Sequence, residues 1–318
     1  MYTIYENCRL CPRNCGKNRN FGEVGICGRT SEIFLARASL HMWEEPCISG
    51  KSGSGTVFFS GCSMHCVFCQ NGEIANGKVG KRVTTEHLIE IFLKLQEKGA
   101  NNINLVTADH YVPTVADALA KAKAQGLRLP IVYNTGSYIT TDALRCLEGL
   151  IDIYLPDFKY YSSKIAQKYA KAKDYPAVAK AAIAEMVRQT GKPIFYNKED
   201  NRLLTAEEYN DFSGNEEILL KKGTIVRHLL LPDCVKDSKD IIRYLLENYG
   251  TDIYISILNQ YTPVKKFIDY PELNRKITES EYEEVIDFAI AMGIENGFVQ
   301  EGNTADESFI PAFDYEGI

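Results

Sequence analysis

The chain has 318 residues, 45% of them apolar and 25% charged, with a formal net charge of −6. That is an ordinary globular composition, and the acidic balance excludes a general nucleic-acid or anionic-membrane binder. The N-terminus lacks the apolar core of a signal peptide and no apolar run is long enough to span a membrane, so a cytoplasmic protein is expected.

In chain order, residues 1–50 form a cysteine-rich extension and residues 51–318 a repeating body. The extension holds Cys8-x2-Cys11-x3-Cys15 and then Cys27, with glycines between them that allow tight turns. The body opens with TVFFS (56–60), a predicted strand that ends at Cys62, Cys66 and Cys69. Thr84 caps a helix whose apolar face is Leu88, Phe92 and Leu95. INLVT (103–107) is a second strand, and Pro113 opens a helix with Val115, Leu119 and Ala122 on one face. IVYNT (131–135) is a third strand, followed by a short helix over 141–149. DIYLPDFK (152–159) is a fourth, followed by a long Ala/Lys-rich helical stretch to about 190. The polar stretch 197–217 reads as an inserted surface excursion. TIVRHLLLP (224–232) and DIYISILNQY (252–261) are the fifth and sixth strands, with a helix between them. Thr278 and Glu281 form a capping box for a last helix, and GFVQE (297–301) adds a short strand.

This alternation predicts parallel βαβ units, closing either part of a barrel or an open doubly wound sheet. In both cases reactive groups belong at the carboxyl ends of the strands. Polar residues collect there: Thr107, Asp109 and His110; Asn134 and Thr135; Asp157 and Lys159; Asn259 and Gln260, with Arg227 and His228 inside the fifth strand. Turn and cap chemistry explains any one of these; several strand ends together suggest a lined mouth.

Ten cysteines in a reducing compartment point to metal rather than to disulfides, and seven of them fall in the two clusters. Cys47, Cys146 and Cys234 are scattered and read as packing residues. The four thiols of the extension suit a structural zinc site or a second iron–sulfur cluster, and both remain open. The body cluster offers only three thiols. Three thiolates on a four-iron cluster leave one iron for a chelating small molecule. Phe68 shields such a group or simply packs, and His65 is a supporting residue rather than a ligand.

Cys62-x3-Cys66-x2-Cys69 directly after the first strand resembles the radical S-adenosylmethionine (radical SAM) superfamily. Residues 44–75, 106–113, 152–160, 226–232 and 257–263 resemble its pyruvate formate-lyase activating enzyme-related group. The resemblance implies an α/β fold, a partial (βα)6 TIM-like barrel with the cluster at its open top. It implies an oxidoreductase whose [4Fe-4S] cluster, on Cys62, Cys66 and Cys69, cleaves S-adenosyl-L-methionine to a 5′-deoxyadenosyl radical. That radical takes a hydrogen from a substrate, either a glycine of a partner enzyme or a small molecule, peptide or RNA. A one-electron reductant such as flavodoxin or ferredoxin is the implied partner, along with a protein substrate.

Asp157-x-Lys159 matches a motif whose lysine holds the cofactor carboxylate, and Asn71 and Arg227 or His228 are further cofactor-binding candidates. Strand alternation sends only one of the last two inward. Where the group has a Gly-Gly-Glu segment to bind the methionine amine, this chain has Thr107-Ala108-Asp109-His110, so Thr107 and Asp109 take that place. The competing class is a non-catalytic iron–sulfur carrier or zinc scaffold, which explains the cysteines but not the polar strand ends.

Overall fold

A computed structural model describes residues 2–300 and 311–318; Glu301 of GFVQE lies outside the described residues. β1 (Ile33–His41) leads through the single turn α1 (Pro46–Ser49) into β2 (Ser54–Phe59), and the cysteine loop then ends in α2 (Gly72–Ala75). There follow β3 (Lys81–Val83), α3 (Thr85–Glu97), β4 (Ile103–Val106), α4 (Val112–Ala124), β5 (Ile131–Thr135), α5 (Thr141–Arg145), β6 (Ile153–Pro156), α6 (Ser163–Ala170) and α7 (Tyr175–Thr190). β7 (Ile194–Asn197), β8 (Leu203–Thr205) and α8 (Ala206–Asn210) precede β9 (Ile218–Leu229), α9 (Val235–Tyr249), β10 (Tyr254–Leu258), α10 (Glu279–Ala291) and β11 (Gly297–Val299).

The helices start where the capping chemistry places them. Thr84 accepts from the His87 amide at the head of α3, and Thr278 and Glu281 complete a capping box on α10. Pro113 occupies the first turn of α4. The long Ala/Lys-rich stretch is two helices, not one. Lys171 adopts a left-handed φ of 50° after α6, and Pro176 then opens α7.

Seven strands, β2, β4, β5, β6, β9, β10 and β11, lie side by side in that order and run parallel. They include all six strands expected in the body, each beside its neighbour in sequence, as successive βα units require. β1 extends the sheet antiparallel to β2, with Leu35 opposite Phe59 and His41 opposite Ser54, and β3 pairs beyond β1. The sheet therefore begins inside the stretch 1–50 that reads as the extension. Among the described residues β11 and β3 end the strand order without pairing to each other, so the sheet is mixed α/β and open.

Every residue of β2, β4, β5 and β6 is buried, as expected for parallel strands covered on both faces. Alternation sorts them. Val57, Phe59, Ile103, Leu105, Ile131 and Tyr133 pack outward on α3 and α4. Val132, Ile153, Leu155, Ile225 and Tyr254 face the other way, against Cys47 and Ile48 of α1 and Phe195, Leu204, Ile218 and Leu220.

The stretch 197–217 is thus only partly a surface excursion. Leu204 is buried, and Tyr209 and Phe212 pack on the same cluster. The first half of β9 pairs antiparallel with β7, and Gly223 then turns it into the parallel sheet. A Cβ at Gly223 would meet Pro193 Cα at 3.0 Å, and its φ of 149° suits glycine. The hairpin and α1 together close one end of the sheet's inner face.

Candidate active site

The loop after β2 carries the three cysteines. Gly61, at φ 97°, starts it; a Cβ there would meet the Cys27 carbonyl oxygen at 2.6 Å. The Cys62 amide donates to that same carbonyl at 3.1 Å, so the extension lies directly on the loop. Tight turns follow, from the Cys69 amide to Cys66 O and from the Gly72 amide to Cys69 O, both 3.1 Å. Arg13 holds the loop from the other side, donating to Ser63 O at 2.9 Å, Met64 O at 3.3 Å and Ala170 O at 2.8 Å. His65 is exposed and its Nε2 lies 2.6 Å from Ile26 O, another tie to the extension.

Cys62, Cys66 and Cys69 are free of disulfides and half-buried. They line one cavity together with Asn71, Thr107, Asp109, Asp157, Lys159 and Arg227. The fold thus gathers these nine residues around one cavity at the carboxyl ends of the parallel strands. Burial, reinforced by repulsion between the sulfurs, pushes Cys62 up to about 12 and Cys69 up to about 11. A bound metal displaces such protons. Among the described residues no three donors converge on a single-ion position.

Asp157 is the hub of the charges. It accepts from Lys159 Nζ at 2.7 Å and from Arg227 Nε at 3.0 Å. Burial alone would raise its carboxyl, but Lys159 and Arg227 outweigh burial and hold it below the ordinary range. Burial likewise acts against the Lys159 ammonium, and Asp157 with the sulfurs of Cys66 and Cys69 keeps it charged. Arg227 also donates to Glu44 Oε2 at 3.1 Å and Asn134 Oδ1 at 2.6 Å.

His228 faces away from the cavity. Its Nδ1 lies 2.8 Å from Phe158 O and its Nε2 2.7 Å from Ser238 Oγ, and burial lowers its pKa to about 4. Strand alternation therefore gives the inward place to Arg227.

Thr107 has φ 60°, a costly conformation for a β-branched residue. It turns the chain out of β4 and delivers Asp109, whose two oxygens accept from Tyr133 and Thr135 hydroxyls, each at 3.0 Å. Burial raises Asp109 to about 6 against those two hydrogen bonds. His110 is a packing residue: it is buried, lies 2.9 Å from Ser60 O, and is lowered to about 3 by burial.

Glu44, Arg13 and Tyr160 are functional neighbours that sequence reasoning missed. The Tyr160 hydroxyl approaches Cys66 Sγ at 3.5 Å. Phe68 is buried edge-on against Tyr160, Tyr169 and Tyr261, which makes it a wall of the cavity as well as a packing residue.

Residues 56–197 match the radical SAM superfamily. That segment, somewhat under half of the chain, is similar to a radical SAM domain. An uncharacterized protein of Methanocaldococcus jannaschii is 28% identical over 297 residues, which is 90% of this chain and 75% of that protein. Among solved structures, SuiB of Streptococcus suis aligns with a TM-score of 0.46 and 13% identity, over 79% of this chain and 49% of its own. SuiB bound to S-adenosylmethionine aligns at 0.42 and 12% identity, over 76% and 45%. The chain spans about half the length of SuiB.

The radical SAM match begins at β2, so the four cysteines of the extension lie outside it. Cys8 and Cys27 are buried, Cys11 and Cys15 half-buried, and none forms a disulfide. Burial first, then Cys27, Cys8 and Cys15, push Cys11 up to about 12. Among the described residues no helix is long and apolar enough to cross a membrane.

Proposed function

We propose that this chain is a radical SAM enzyme in which Cys62, Cys66 and Cys69 hold a [4Fe-4S] cluster with one iron left for S-adenosyl-L-methionine. The observation that carries this is the shared cavity: three free thiols open onto the same space as Lys159, Asp157 and Arg227. The donor set fits. Thiolates are the ligands iron–sulfur clusters prefer, and a four-iron cluster spreads its ligands around a body larger than one ion. A cluster held by Cys62, Cys66 and Cys69 would supply one-electron reduction to S-adenosyl-L-methionine bound beside it, and with it hydrogen-atom abstraction from a substrate.

The chain's own residues bind and orient. Lys159 offers its ammonium to the cofactor carboxylate, and Asp157 and Arg227 fix its position. Thr107 and Asp109 present oxygens to the amine, and Asn71 stands beside the cysteine loop. Phe68 and Met64 exclude water on one side, and the packed α1 and β7–β8 hairpin close the far end.

The substrate reading we favour is a glycine of a partner enzyme, with flavodoxin or ferredoxin as the electron donor. The similarity of residues 44–75 to the activating enzymes supports it. Its test is an organic radical signal in a glycyl-radical enzyme incubated with the reduced protein and cofactor.

The site itself is tested by electron paramagnetic resonance of the anaerobically reconstituted, reduced protein. Adding S-adenosyl-L-methionine should change the cluster spectrum, and Cys62→Ala/Cys66→Ala/Cys69→Ala should lose that signal. An unchanged spectrum on adding cofactor would favour a non-catalytic iron–sulfur carrier instead.

A further inference from the structure

Tyr160 follows Lys159 directly in the chain, yet the two side chains part. Lys159 lines the cavity; Tyr160 is fully buried beside it and forms no part of the cavity wall. Both neighbouring amides are pinned. The Lys159 amide donates to the Tyr175 hydroxyl at 2.8 Å and the Tyr161 amide to Asp237 Oδ2 at 2.9 Å. The ring is caged too: its centroid lies 5.3 Å from that of Tyr175 and 6.4 Å from those of Phe68 and Tyr169. Backbone and ring together aim one hydroxyl at one place.

That place is Cys66 Sγ, 3.5 Å away. Among the described residues the hydroxyl makes no other hydrogen bond. A buried tyrosine hydroxyl needs a partner, and a neutral thiol is a weak one. A thiolate is a stronger acceptor, because the donor then meets a charge. Cys62 is served by a backbone donor instead: its sulfur accepts from the Met64 amide at 3.4 Å. The donor to Cys66 is a side chain, so a single substitution removes it.

We propose that Tyr160 sets the reduction potential of the three-cysteine site: its hydroxyl donates to the Cys66 thiolate and makes a cluster held there easier to reduce. The inference rests on the reading of Cys62, Cys66 and Cys69 as cluster ligands. One-electron reduction adds negative charge that the ligand sulfurs share. A hydrogen bond to one of those sulfurs stabilises the added charge and raises the potential. Tyr160 is a positioning residue: it acts through Cys66 and, being outside the cavity wall, does not meet the substrate.

The test is a redox titration of the anaerobically reconstituted full-length protein, followed by electron paramagnetic resonance. Tyr160→Phe keeps the ring and removes the donor. Its midpoint should fall, leaving about threefold or more oxidised over reduced cluster at the parent's midpoint. A ring-fluorinated tyrosine in place of Tyr160 keeps the shape and is a stronger donor, and the midpoint should rise. Tyr169→Phe is the control. It removes a hydroxyl from the same aromatic cluster, but one that donates to Glu272 Oε1 at 2.6 Å, so its midpoint should match the parent's. Parent midpoints in both Tyr160 variants would overturn the proposal, as would an equal fall in Tyr169→Phe. If Tyr160→Phe does not take up its cluster, the fluorinated protein decides alone. A parent that takes up no iron and sulfide would overturn the ligand reading and the proposal with it. A loaded parent with unmoved variants overturns only the role of Tyr160.

Discussion

Lys159 holds its ammonium 2.7 Å from Asp157 and within electrostatic reach of the Cys66 and Cys69 sulfurs. An ammonium so held is ready for a second anion. Lys159→Met should weaken S-adenosyl-L-methionine binding to the reconstituted protein about tenfold or more, since a hydrogen bond to a charged group contributes about 1.5–3 kcal/mol. Titration calorimetry reads this, and unchanged affinity would remove Lys159 from the cofactor site.

Asp109 gives a pH signature. Its folded pKa of about 6 lies above the ordinary 3.8 because burial favours the neutral acid. The folded state therefore holds the proton more tightly than the unfolded chain. The stability this contributes is full below about pH 4 and is lost as pH rises through 6, about 3 kcal/mol in all. Asp109→Asn should abolish that decline when unfolding free energy is measured from pH 4 to 7, and a variant with the parent's slope would contradict it.

Single residues were legible in the sequence where their chemistry is local. The cysteine spacing marks its own candidate ligands, and the Asp157-x-Lys159 pair lies within one strand end. Glu44, Arg13 and Tyr160 were not legible, because each gains its role from a partner far along the chain: Arg227, Met64 and Cys66.

At the scale of elements, the parallel strands could be read because burial on both faces leaves continuous apolar runs, and the helices because caps and periodicity agree. β1 was hidden. IFLARASLH follows the cysteine-rich turns, and only its antiparallel pairing with β2 makes it part of the sheet. The β7–β8 hairpin was hidden for a different reason. Its many polar residues mask a few apolar ones that turn inward.

Phe195 shows this most clearly. It is fully buried, stacked on Tyr209 with ring centroids 3.9 Å apart and edge-on to Tyr254. Phe195→Ala should cost about 3–5 kcal/mol in chemical denaturation, the usual result of emptying a buried aromatic site. A loss under about 1 kcal/mol, typical of a surface position, would return the hairpin to the surface. Arg13→Ala tests a second element, the cysteine loop. It removes the donors that hold Ser63 O and Met64 O, so amide hydrogen exchange should quicken across the loop and leave α3 and α4 unchanged. Unaltered exchange in the loop would show that Arg13 does not hold it.

Across the whole molecule, the open sheet places chemistry at one end and packing at the other. The carboxyl ends of its parallel strands carry the thiols and charges, while α1 and the hairpin fill the inner face below. The C-terminal residues return to β1, where the Ala38 amide donates to Glu316 O at 2.8 Å and Phe313 packs on Phe58. The extension lies over the cysteine loop through the Cys27 carbonyl. The thiols, Lys159, Asp157 and Arg227 share one cavity, and the reaction we propose for it is reductive cleavage of S-adenosyl-L-methionine. The direct measurement is 5′-deoxyadenosine, assayed after anaerobic reconstitution, dithionite reduction and addition of the cofactor. The parent should form it and Cys62→Ala/Cys66→Ala/Cys69→Ala should not. A fully reconstituted parent that forms none, or a triple variant that forms as much as the parent, would rule out this reaction at the three cysteines.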